Sequence, residues 1–375
     1  MNTTRADLIV AGAGLAGSAA AWAAAGRGMD VVVLEAFGPG HRNGSSHGSA
    51  RIFRRAYSDP LYVRLTGQAG TAWRRLESEA GESLLRVTGG LDFGVKRDAA
   101  GLHALLTGCG VPAELLTAAA AAERWPQFDF TGAAPVMFHA EAGVLDPDRA
   151  MAAMLRLAAA QGADIGFHTP VTHLANGPDG GATAHTDSGT VTAPVVAVAA
   201  GAWLPDLLGD LVPLPRLTVT QQQIFHFAPR HRPAEPWPTF IHAGAISTFY
   251  GLAGGRDGEV PDAIKLGEHD LGPVTTPKTR DFTVDPATRD RFLTSARQRL
   301  PGLEPTPVNE MTCLYTSTSS EDFILDRQGP FVIASPCSGH GAKFAPLLGE
   351  TIADLAAGHP PPDPRFTLAA HREAR

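Results

Sequence analysis

The sequence contains little cysteine: only Cys109, Cys313 and Cys337, 3 of its 375 residues, which lie far apart. Dense cysteines at regular spacing are typical of secreted folds that disulfides hold together. Cys337 and His340 form a C-x-x-H pair, but no second pair of ligands completes a zinc site. We therefore expect a reduced protein without a disulfide framework and without a bound metal.

The sequence also lacks a basic run and a long apolar segment. Lys and Arg total 31 against 38 Asp and Glu, and the net charge of −7 argues against a nucleic-acid-binding surface. No segment reaches the roughly 18 consecutive apolar residues of a membrane span, and we see no secretory signal. These features predict a cytoplasmic protein that binds neither nucleic acid nor membrane. A chain of 375 residues is long for one core, so we expect two lobes.

The strongest local pattern runs from Asp7 to Glu35. The apolar run Leu8–Val10 predicts a buried strand, and the glycine sequence GAGLAG follows it directly. The alanine-rich segment Ala19–Ala25 predicts a helix, because alanine loses no side-chain entropy when a helix forms. The apolar run Val31–Leu34 then predicts a second buried strand, which ends at the acid.

Dinucleotide-binding folds contain the same order of elements: a strand, a glycine turn, a helix, a second strand and an acid. Gly12 permits the tight turn, Gly14 lets the backbone approach a pyrophosphate, and Gly17 lets the helix pack on the strand. The N-terminus of the helix offers N–H groups to phosphate, and Glu35 is placed to accept hydrogen bonds from ribose hydroxyls. The pattern predicts an adenine dinucleotide and does not choose between NAD and FAD.

The polar loop after the second strand has two interpretations. Residues 44–48 match the G-x-S-x-G pattern of a nucleophile elbow, which would make Ser46 the nucleophile of a serine hydrolase. An elbow needs a strand directly before the serine, whereas a Pro-Gly loop precedes this one. The alternative is a loop whose polar groups, among them Ser45, Arg51 and Arg54, surround an anionic cofactor or substrate, or simply face water.

Three further segments bear on the site. The apolar run Val195–Ala199 ends at Gly201, which is either a second approach of the backbone to a dinucleotide or the end of an ordinary parallel strand. Residues 312–326 predict an exposed turn and then a strand, so Cys313 is either a reactive thiol or a small buried apolar residue. Lys343 lies in a tight glycine loop, which favours an inward-pointing side chain over a plain surface lysine.

Several motifs together resemble the monomeric sarcosine oxidase and N-methyltryptophan oxidase family of flavin amine oxidases. The chain is also similar to the imino-acid-type oxidases of secondary metabolism. The resemblance covers nearly the whole chain and depends on the order and spacing of the motifs. These are GAGLAG, NGSSHGSARIFRRAY, AAGAW, FYG at Phe249–Gly251, IKLGEH, CLYT at Cys313–Thr316, FILD, SGHGAKF and Gly349-Glu350.

The resemblance implies an α/β fold, with a Rossmann-like FAD-binding domain and a smaller substrate domain built on an antiparallel sheet. The FAD-binding domain would be discontinuous, at residues 1-85, 145-215 and 306-375, with the substrate domain at 86-144 and 216-305. The resemblance also implies a monomer whose partners are O₂ and a small amine or amino acid.

The resemblance further implies FAD bonded covalently through Cys313, which falls on the cysteine that the family attaches to the flavin 8α-methyl. The residues expected to hold the cofactor are Gly12, Gly14, Gly17, Glu35, Ser45, Arg51, Gly201, Cys313, Gly339, Gly341 and Lys343.

The resemblance assigns roles to residues of the reaction site as well. Arg54 and Lys343 match the pair that holds the substrate carboxylate, and Tyr250 is expected to line the substrate site. Arg51 matches an arginine beside the flavin ring, and Lys265 matches a lysine that assists oxygen reduction, where a fixed cation stabilises developing negative charge. The remaining catalytic candidates are His269 and Tyr315, which match pocket residues of the family. A lone His or Tyr can equally be structural.

The chain departs from the family at several positions. Pro336-Cys337 replaces an aromatic residue, Ala342 stands where sarcosine oxidase has phenylalanine, and residues 319–322 replace an acid-acid-His pattern. Gln221 stands where the family usually has arginine. The loss of two aromatic residues near the flavin predicts a roomier pocket and a substrate that is bulkier than sarcosine or cyclic.

We therefore expect an FAD-dependent oxidase that converts a secondary or N-methyl amino acid to an imine and reduces O₂ to hydrogen peroxide. Three alternatives stay open. A flavin dehydrogenase would use the same sites. A primary D-amino acid or glycine oxidase, or an oxidase of sugar-modified amino acids, would share the fold. A serine hydrolase would use Ser46.

Overall fold

This computed structural model describes residues 3–133, 135–231, 236–245, 247–269 and 272–373. The α-helices are α1 (Leu15–Ala25), α2 (Pro60–Ala80), α3 (Ala99–Gly108), α4 (Ala118–Arg124), α5 (Pro147–Ala160), α6 (Leu204–Leu208), α7 (Pro286–Arg299), α8 (Ala345–Ala356) and α9 (Leu368–Glu373). Within the described ranges, no helix combines the length and the apolar character that crossing a bilayer would need.

The strands follow the chain from its first described residues to the segment before α8. They are β1 (Thr3–Arg5), β2 (Leu8–Ala11), β3 (Val31–Leu34), β4 (Arg51–Phe53), β5 (Leu85–Val87), β6 (Gly90–Phe93), β7 (Glu114–Leu116), β8 (Val136–His139), β9 (Gly143–Leu145), β10 (Asp164–Gly166), β11 (Val171–Asn176), β12 (Ala182–Thr186), β13 (Gly189–Ala193), β14 (Val195–Val198), β15 (Thr218–Pro229), β16 (Thr239–Ala243), β17 (Thr248–Ala253), β18 (Ile264–Glu268), β19 (Leu303–Ser317), β20 (Ile324–Gln328) and β21 (Phe331–Ser335).

A six-stranded sheet in the described residues has the order β10-β3-β2-β14-β21-β20. The pairing of β20 with β21 is antiparallel, and the other pairings are parallel. One face, with Leu8, Val10 and Val31, packs against α1, α5 and α8, and the other face, with Ile9 and Val32, packs against β11, β12 and β13. Because both faces are covered, these strands are apolar throughout rather than alternating. Ligands of such sheets bind beyond the carboxyl ends of the strands.

Two glycines set the turn between β2 and α1. Gly12 has a φ of 98°, in the left-handed region that favours glycine. A Cβ on Gly17 would lie 1.8 Å from the carbonyl oxygen of Gly12, so only glycine lets α1 pack this close to the turn. The helix begins at Leu15, earlier than the predicted start at Ala19. Packing against β2 therefore overrides the low helix propensity of Gly17.

An eight-stranded sheet in the described part of the chain has the order β19-β15-β18-β17-β16-β6-β8-β7. Its pairings are antiparallel except for that of β16 with β6. Its core is rich in buried aromatic residues, among them Phe93, Phe225, Phe240, Phe249 and Phe292. The expected α/β fold, with a Rossmann-like sheet and a mainly antiparallel second sheet, is therefore confirmed. The residue boundaries of the two domains stay a prediction.

The predicted exposed turn at the start of residues 312–326 is wrong. Residues 312–317 form the end of β19, which pairs with β15 and places Cys313 opposite Gln222. Cys313 is only 4% exposed, and the turn comes later, at residues 319–320. The polar residues of this segment misled the prediction, because their buried position depends on a strand that is distant in sequence.

Replacing Gly17 with alanine tests the close approach of α1 to the turn. The new Cβ would meet the Gly12 carbonyl oxygen at 1.8 Å, and backbone atoms cannot move aside as a flexible side chain can. We expect Gly17→Ala to lower the free energy of unfolding by about 3 kcal/mol or more, the upper end of overpacking effects. Urea unfolding of the variant and the wild type measures the loss.

Gly108→Ala, at the end of α3, is the matched control, because nothing lies within 4 Å of its added Cβ. The helix propensity of alanine predicts a stability that is unchanged or about 1 kcal/mol higher. Equal stability of Gly17→Ala and the wild type would contradict this explanation of the turn.

Candidate active site

A cavity of about 1260 Å³ lies at the carboxyl ends of β2, β3 and β14, between the six-stranded and the eight-stranded sheet. The strand ends contribute Ala11, Leu34 and Ala199, and the second sheet contributes Tyr250 of β17 and Lys265 of β18. A typical small-molecule pocket has roughly 300–1,000 Å³. The larger volume suits a dinucleotide together with a second small molecule.

Three of the residues predicted to bind the dinucleotide line this cavity: Gly12, Gly14 and Glu35. Glu35 is 5% exposed, and its carboxylate accepts hydrogen bonds from the N–H groups of Ala13 at 2.7 Å and Phe37 at 2.9 Å. Ser46 Oγ accepts a hydrogen bond from the N–H group of Leu15 at 3.0 Å. The acid, the glycine turn and the start of α1 therefore form one connected polar region.

This region fits a dinucleotide cofactor such as FAD. Gly12 and Gly14 line the cavity, and a Cβ on Gly14 would lie 2.9 Å from Ser46 Oγ, so a larger residue would press on the polar loop after β3. Gly201 also lines the cavity, with a φ of 53° and open space around its missing Cβ. Gly17 does not line the cavity and instead packs α1 against the turn.

The structure gives no support to the serine-hydrolase interpretation of Ser46. Residues 44–48 lie in the loop between β3 and β4, so the serine has neither a strand directly before it nor a helix directly after it. Burial, and then the charge of Arg51, lowers the pKa of the neighbouring His47 to about 2. A histidine with such a low pKa is a poor general base at neutral pH.

Arg51 connects the loop before β4 to the strand that carries Cys313. Its guanidinium donates to the carbonyl oxygens of Ala50, Ser45 and His47 at 2.9, 3.0 and 2.7 Å. Its Nη2 lies 3.8 Å from the Sγ of Cys313, which lines the cavity. A fixed cation beside a thiol is the setting in which reactive cysteines are found.

Lys265 is a second cation beside this segment. It is 2% exposed, and its Nζ donates to the carbonyl oxygen of Ala50 at 3.1 Å. Burial, and then the charge of Arg51, lowers the pKa of Lys265 to about 7. The amine can therefore gain or lose a proton near neutral pH.

Arg54 and Lys343 form a further pair of cations on the cavity wall. The buried Nη1 of Arg54 has no hydrogen-bond partner, and the Nζ of Lys343 donates to the carbonyl oxygen of His340 at 2.7 Å. Burial lowers the pKa of both groups, and the charge of Arg54 lowers the pKa of Lys343 further. Within the described residues, neither side chain has a carboxylate in ion-pair contact. The pair is therefore suited to bind an anion such as a carboxylate.

Two tyrosines and a histidine complete the predicted site. Tyr250 and Tyr315 both line the cavity, and burial raises the pKa of both hydroxyls. The ring of His269 lies 5.9 Å from that of Tyr315, centroid to centroid. A Cβ on Gly339 would lie 2.3 Å from the Tyr315 ring, so the loop that also contains Gly341 closes on this tyrosine.

The predicted catalytic and substrate-binding residues thus share one cavity, as do the predicted cofactor residues other than Gly17. This placement does not test what each residue does. Their roles stay predictions.

Sequence reasoning missed several residues of the site. Tyr57 and His340 lie inside the motifs RIFRRAY and SGHGAKF, and the Oη of Tyr57 is 3.0 Å from the Nδ1 of His340. Arg280 is 7% exposed and donates to the carbonyl oxygens of residues 42–43 and of Thr312, which precedes the cavity thiol. The motifs could have identified the first two. No local signal marks Arg280, because its partners are distant in sequence.

The fold and the cavity define a dinucleotide-dependent enzyme, and comparisons with known proteins specify the cofactor. The model of the FAD dependent oxidoreductase family, DAO, matches residues 7–355. The chain is 36% identical to a monomeric sarcosine oxidase of Streptomyces avermitilis, over 97% of this chain and 98% of that one. It is 30% identical to an N-methyl-L-tryptophan oxidase of Yersinia pestis, over 98% and 99%. The chain therefore belongs to the FAD-dependent oxidoreductase family.

Solved structures have the same fold. NikD, described as an unusual amino acid oxidase essential for nikkomycin biosynthesis, is 28% identical with a TM-score of 0.83, and the match covers 94% of each chain. An L-proline dehydrogenase from P. horikoshii has a TM-score of 0.86 over 100% of both chains. At 21% identity, this second likeness concerns the fold alone.

The pKa of Lys265 makes the stability of the protein depend on pH. In the folded protein the amine loses its proton near pH 7, whereas the unfolded chain keeps it until about pH 10.5. Between these values the unfolded state binds more protons, so the free energy of unfolding rises with pH, by up to about 1.4 kcal/mol per unit from this group. Below about pH 7 both states are protonated, and the buried charge is then most unfavourable.

Lys265→Met removes this contribution, so the wild type should gain stability relative to the variant as the pH rises above 7. Urea unfolding of both proteins across this range measures the difference. Lys96→Met is the control, because Lys96 is exposed and its Nζ donates only to the Ala245 carbonyl oxygen at 2.9 Å in the described contacts. Its profile should follow that of the wild type. Parallel profiles for Lys265→Met and the wild type would show that Lys265 does not titrate in this range.

Proposed function

We propose that the chain is an FAD-dependent oxidase that converts a secondary or N-methyl amino acid to an imine and reduces O₂ to hydrogen peroxide. The observation that carries this proposal is the pair Arg54 and Lys343, which line the cavity with no carboxylate in ion-pair contact among the described residues. A substrate carboxylate would give both cations the partner that they lack. The names of the two relatives, a sarcosine oxidase and an N-methyl-L-tryptophan oxidase, support the same substrate class.

The two cations would bind the carboxylate in complementary ways. The guanidinium of Arg54 offers a planar fork that matches both carboxylate oxygens, and the ammonium of Lys343 adds a compact charge. Positive charge nearby disfavours a further ammonium, so the substrate amine would bind in its neutral form, with its lone pair available. Tyr250 and Tyr315 stay protonated because burial raises their pKa, so they could hydrogen-bond the amine without adding charge.

The residues around the glycine turn would hold the FAD. Gly12 and Gly14 would let backbone N–H groups approach the pyrophosphate, and Glu35 would accept hydrogen bonds from the ribose. When bound, the flavin supplies the two-electron oxidation of the C–N bond and the transfer of those electrons to O₂. The net reaction, amine plus O₂ to imine plus hydrogen peroxide, balances in atoms and electrons.

Lys265 would assist the reduction of O₂. A cation held in a cavity that excludes water stabilises the negative charge that develops on oxygen. The carbonyl oxygen of Ala50 fixes the Nζ of Lys265 at 3.1 Å, so the charge is already in place. With a pKa of about 7, the Nζ can also donate a proton to the forming peroxide near neutral pH.

We propose that FAD is bound covalently through Cys313. Its Sγ lines the cavity and lies 3.8 Å from the cationic Nη2 of Arg51. Cys337 lines the same cavity, but burial raises the pKa of its thiol, which makes it the less reactive candidate.

A substrate bulkier than sarcosine, or a cyclic one, is the final part of the proposal. Pro336, Cys337 and Ala342 line the cavity. The family resemblance places aromatic residues at two of these positions, so smaller side chains here leave more room for the substrate.

Arg54→Gln tests the carboxylate site, with N-methyl-L-tryptophan as substrate. Losing one partner of a buried charge pair costs about 2–5 kcal/mol, so KM should rise by roughly thirty-fold or more. The kcat should change much less, because the guanidinium would contact the carboxylate and not the C–N bond. Oxygen consumption over a range of substrate concentrations gives both constants.

Arg55→Gln is the matched control for Arg54→Gln. The Arg55 guanidinium pairs with Glu141 at 2.9 Å and is not part of the cavity lining, so KM should stay at the wild-type value. An unchanged KM in Arg54→Gln would contradict the proposed carboxylate contact.

Cys313→Ser tests the covalent bond to FAD. After acid precipitation, the yellow colour should stay in the pellet of the wild type and move to the supernatant of the variant. Cys109→Ser is the control, because that thiol is exposed and outside the cavity lining, and its pellet should stay yellow. A wild-type protein that releases its flavin into acid would exclude the covalent bond and leave the rest of the proposal intact.

A further inference from the structure

We infer that Tyr57 is a positioning residue that holds Arg54 and Lys343 together as an anion site before the substrate arrives. The inference rests on the proposed function, in which these cations bind the substrate carboxylate. The Cζ of Arg54 lies 4.8 Å from the centroid of the Tyr57 ring, and the Nζ of Lys343 lies 5.5 Å from it. One aromatic ring is therefore in cation–π contact with both charges of the pair.

The two cations need such a contact, because they repel each other and have lost most of their hydration. Burial and mutual repulsion both favour loss of a proton from Lys343, and the Nη1 of Arg54 has no hydrogen-bond partner. An acidic side chain would stabilise both charges, but it would also compete with a substrate carboxylate. The face of an aromatic ring attracts cations without neutralising them. Tyr57 can therefore keep both groups charged and still available to an anion.

Tyr57 is itself fixed by His340. The His340 Nε2 lies 3.1 Å from the carbonyl oxygen of Glu321, and the Nδ1 lies 3.0 Å from the Oη of Tyr57. A carbonyl oxygen only accepts, so Nε2 carries the proton and the tyrosine hydroxyl donates to Nδ1. Burial, and then the charge of Lys343, lowers the pKa of His340 to about 3, so the ring stays neutral and the arrangement persists at ordinary pH.

The same histidine also fixes the lysine. The backbone carbonyl oxygen of His340 accepts a hydrogen bond from the Nζ of Lys343 at 2.7 Å. The backbone carbonyl oxygen of Lys343 in turn accepts one from the Nε1 of Trp73 in α2, also at 2.7 Å. The Tyr57 ring further stacks on Tyr62 of α2, with centroids 5.2 Å apart. The ring and the lysine are thus held against the same helix, with little freedom to separate.

Carboxylate binding to the holoenzyme tests this role without turnover. The probes are pyrrole-2-carboxylate and pyrrole-2-carboxamide, which differ in the charge of one group, and the change in the visible flavin spectrum on titration gives each Kd. We expect the wild type to bind the carboxylate more tightly than the amide. Tyr57→Leu should weaken carboxylate binding by about tenfold, the size of a desolvated cation–π contact, and change amide binding by less than about threefold.

Variants that keep the ring separate electrostatics from packing. Tyr57→Phe preserves the aromatic face and removes the bond to His340, so its carboxylate affinity should stay within about threefold of the wild type. Phenylalanine analogues of increasing fluorination at position 57 weaken the ring's attraction for cations at nearly constant shape. Carboxylate affinity should fall stepwise along this series, while amide affinity stays constant.

Two results would overturn the inference. If the wild type prefers the carboxylate and the fluorinated series binds it equally well, the ring only fills space, and the proposed function survives. If the wild type does not distinguish the carboxylate from the amide, both the inference and the proposed carboxylate site fail. The two failures are therefore distinguishable in one set of titrations.

Discussion

Burying positive charge is unfavourable because the protein interior solvates ions poorly. One cavity of this enzyme is nevertheless lined by several cationic side chains, including Arg51, Arg54, Lys265 and Lys343. Neutral groups offset part of this cost. The cations contact the backbone carbonyl oxygens of Ser45, Ala50, His47 and His340 and the ring of Tyr57. Because these partners carry no negative charge, they leave the positive charge of the cations available to attract an anion.

Neutral partners can hold cations only if the backbone that supplies them is fixed. Two hydrogen bonds join Ser49 and Asp257. The N–H group of Ser49 donates to the Asp257 Oδ2 at 2.7 Å, and the N–H group of Asp257 donates to the Ser49 Oγ at 3.1 Å. They hold the loop before β4 against the segment after β17. Arg280 anchors residues 42–43 to Thr312, and Trp73 holds the backbone of Lys343. The two sheets are therefore joined at the points where the carbonyl oxygens face the cations.

The sequence predicted the local fold around the glycine turn well, since its determinants are local: Gly12, Gly17 and Glu35 belong to a turn, a helix and a strand end that follow one another. It failed at the exposed turn predicted at the start of residues 312–326, because a polar segment does not reveal that a distant strand will pair with it and bury Cys313. The resemblance named Arg54 and Lys343, yet the ring between them was missed, since the contact of Tyr57 with Lys343 forms only when segments nearly three hundred residues apart meet. Arg280 escaped prediction for the same reason.

The central claim is that cations without a carboxylate partner select the carboxylate of an amino acid. Anaerobic reduction of the bound flavin tests this claim most directly. N-methyl-L-tryptophan and N-methyltryptamine share the ring and the secondary amine and differ in the carboxylate. We predict that the amino acid bleaches the visible flavin band, that N-methyltryptamine does so far more slowly at equal concentration, and that air restores the band with formation of hydrogen peroxide. Equal rates for the two amines would contradict the claim, because the cations would then play no part in choosing the substrate.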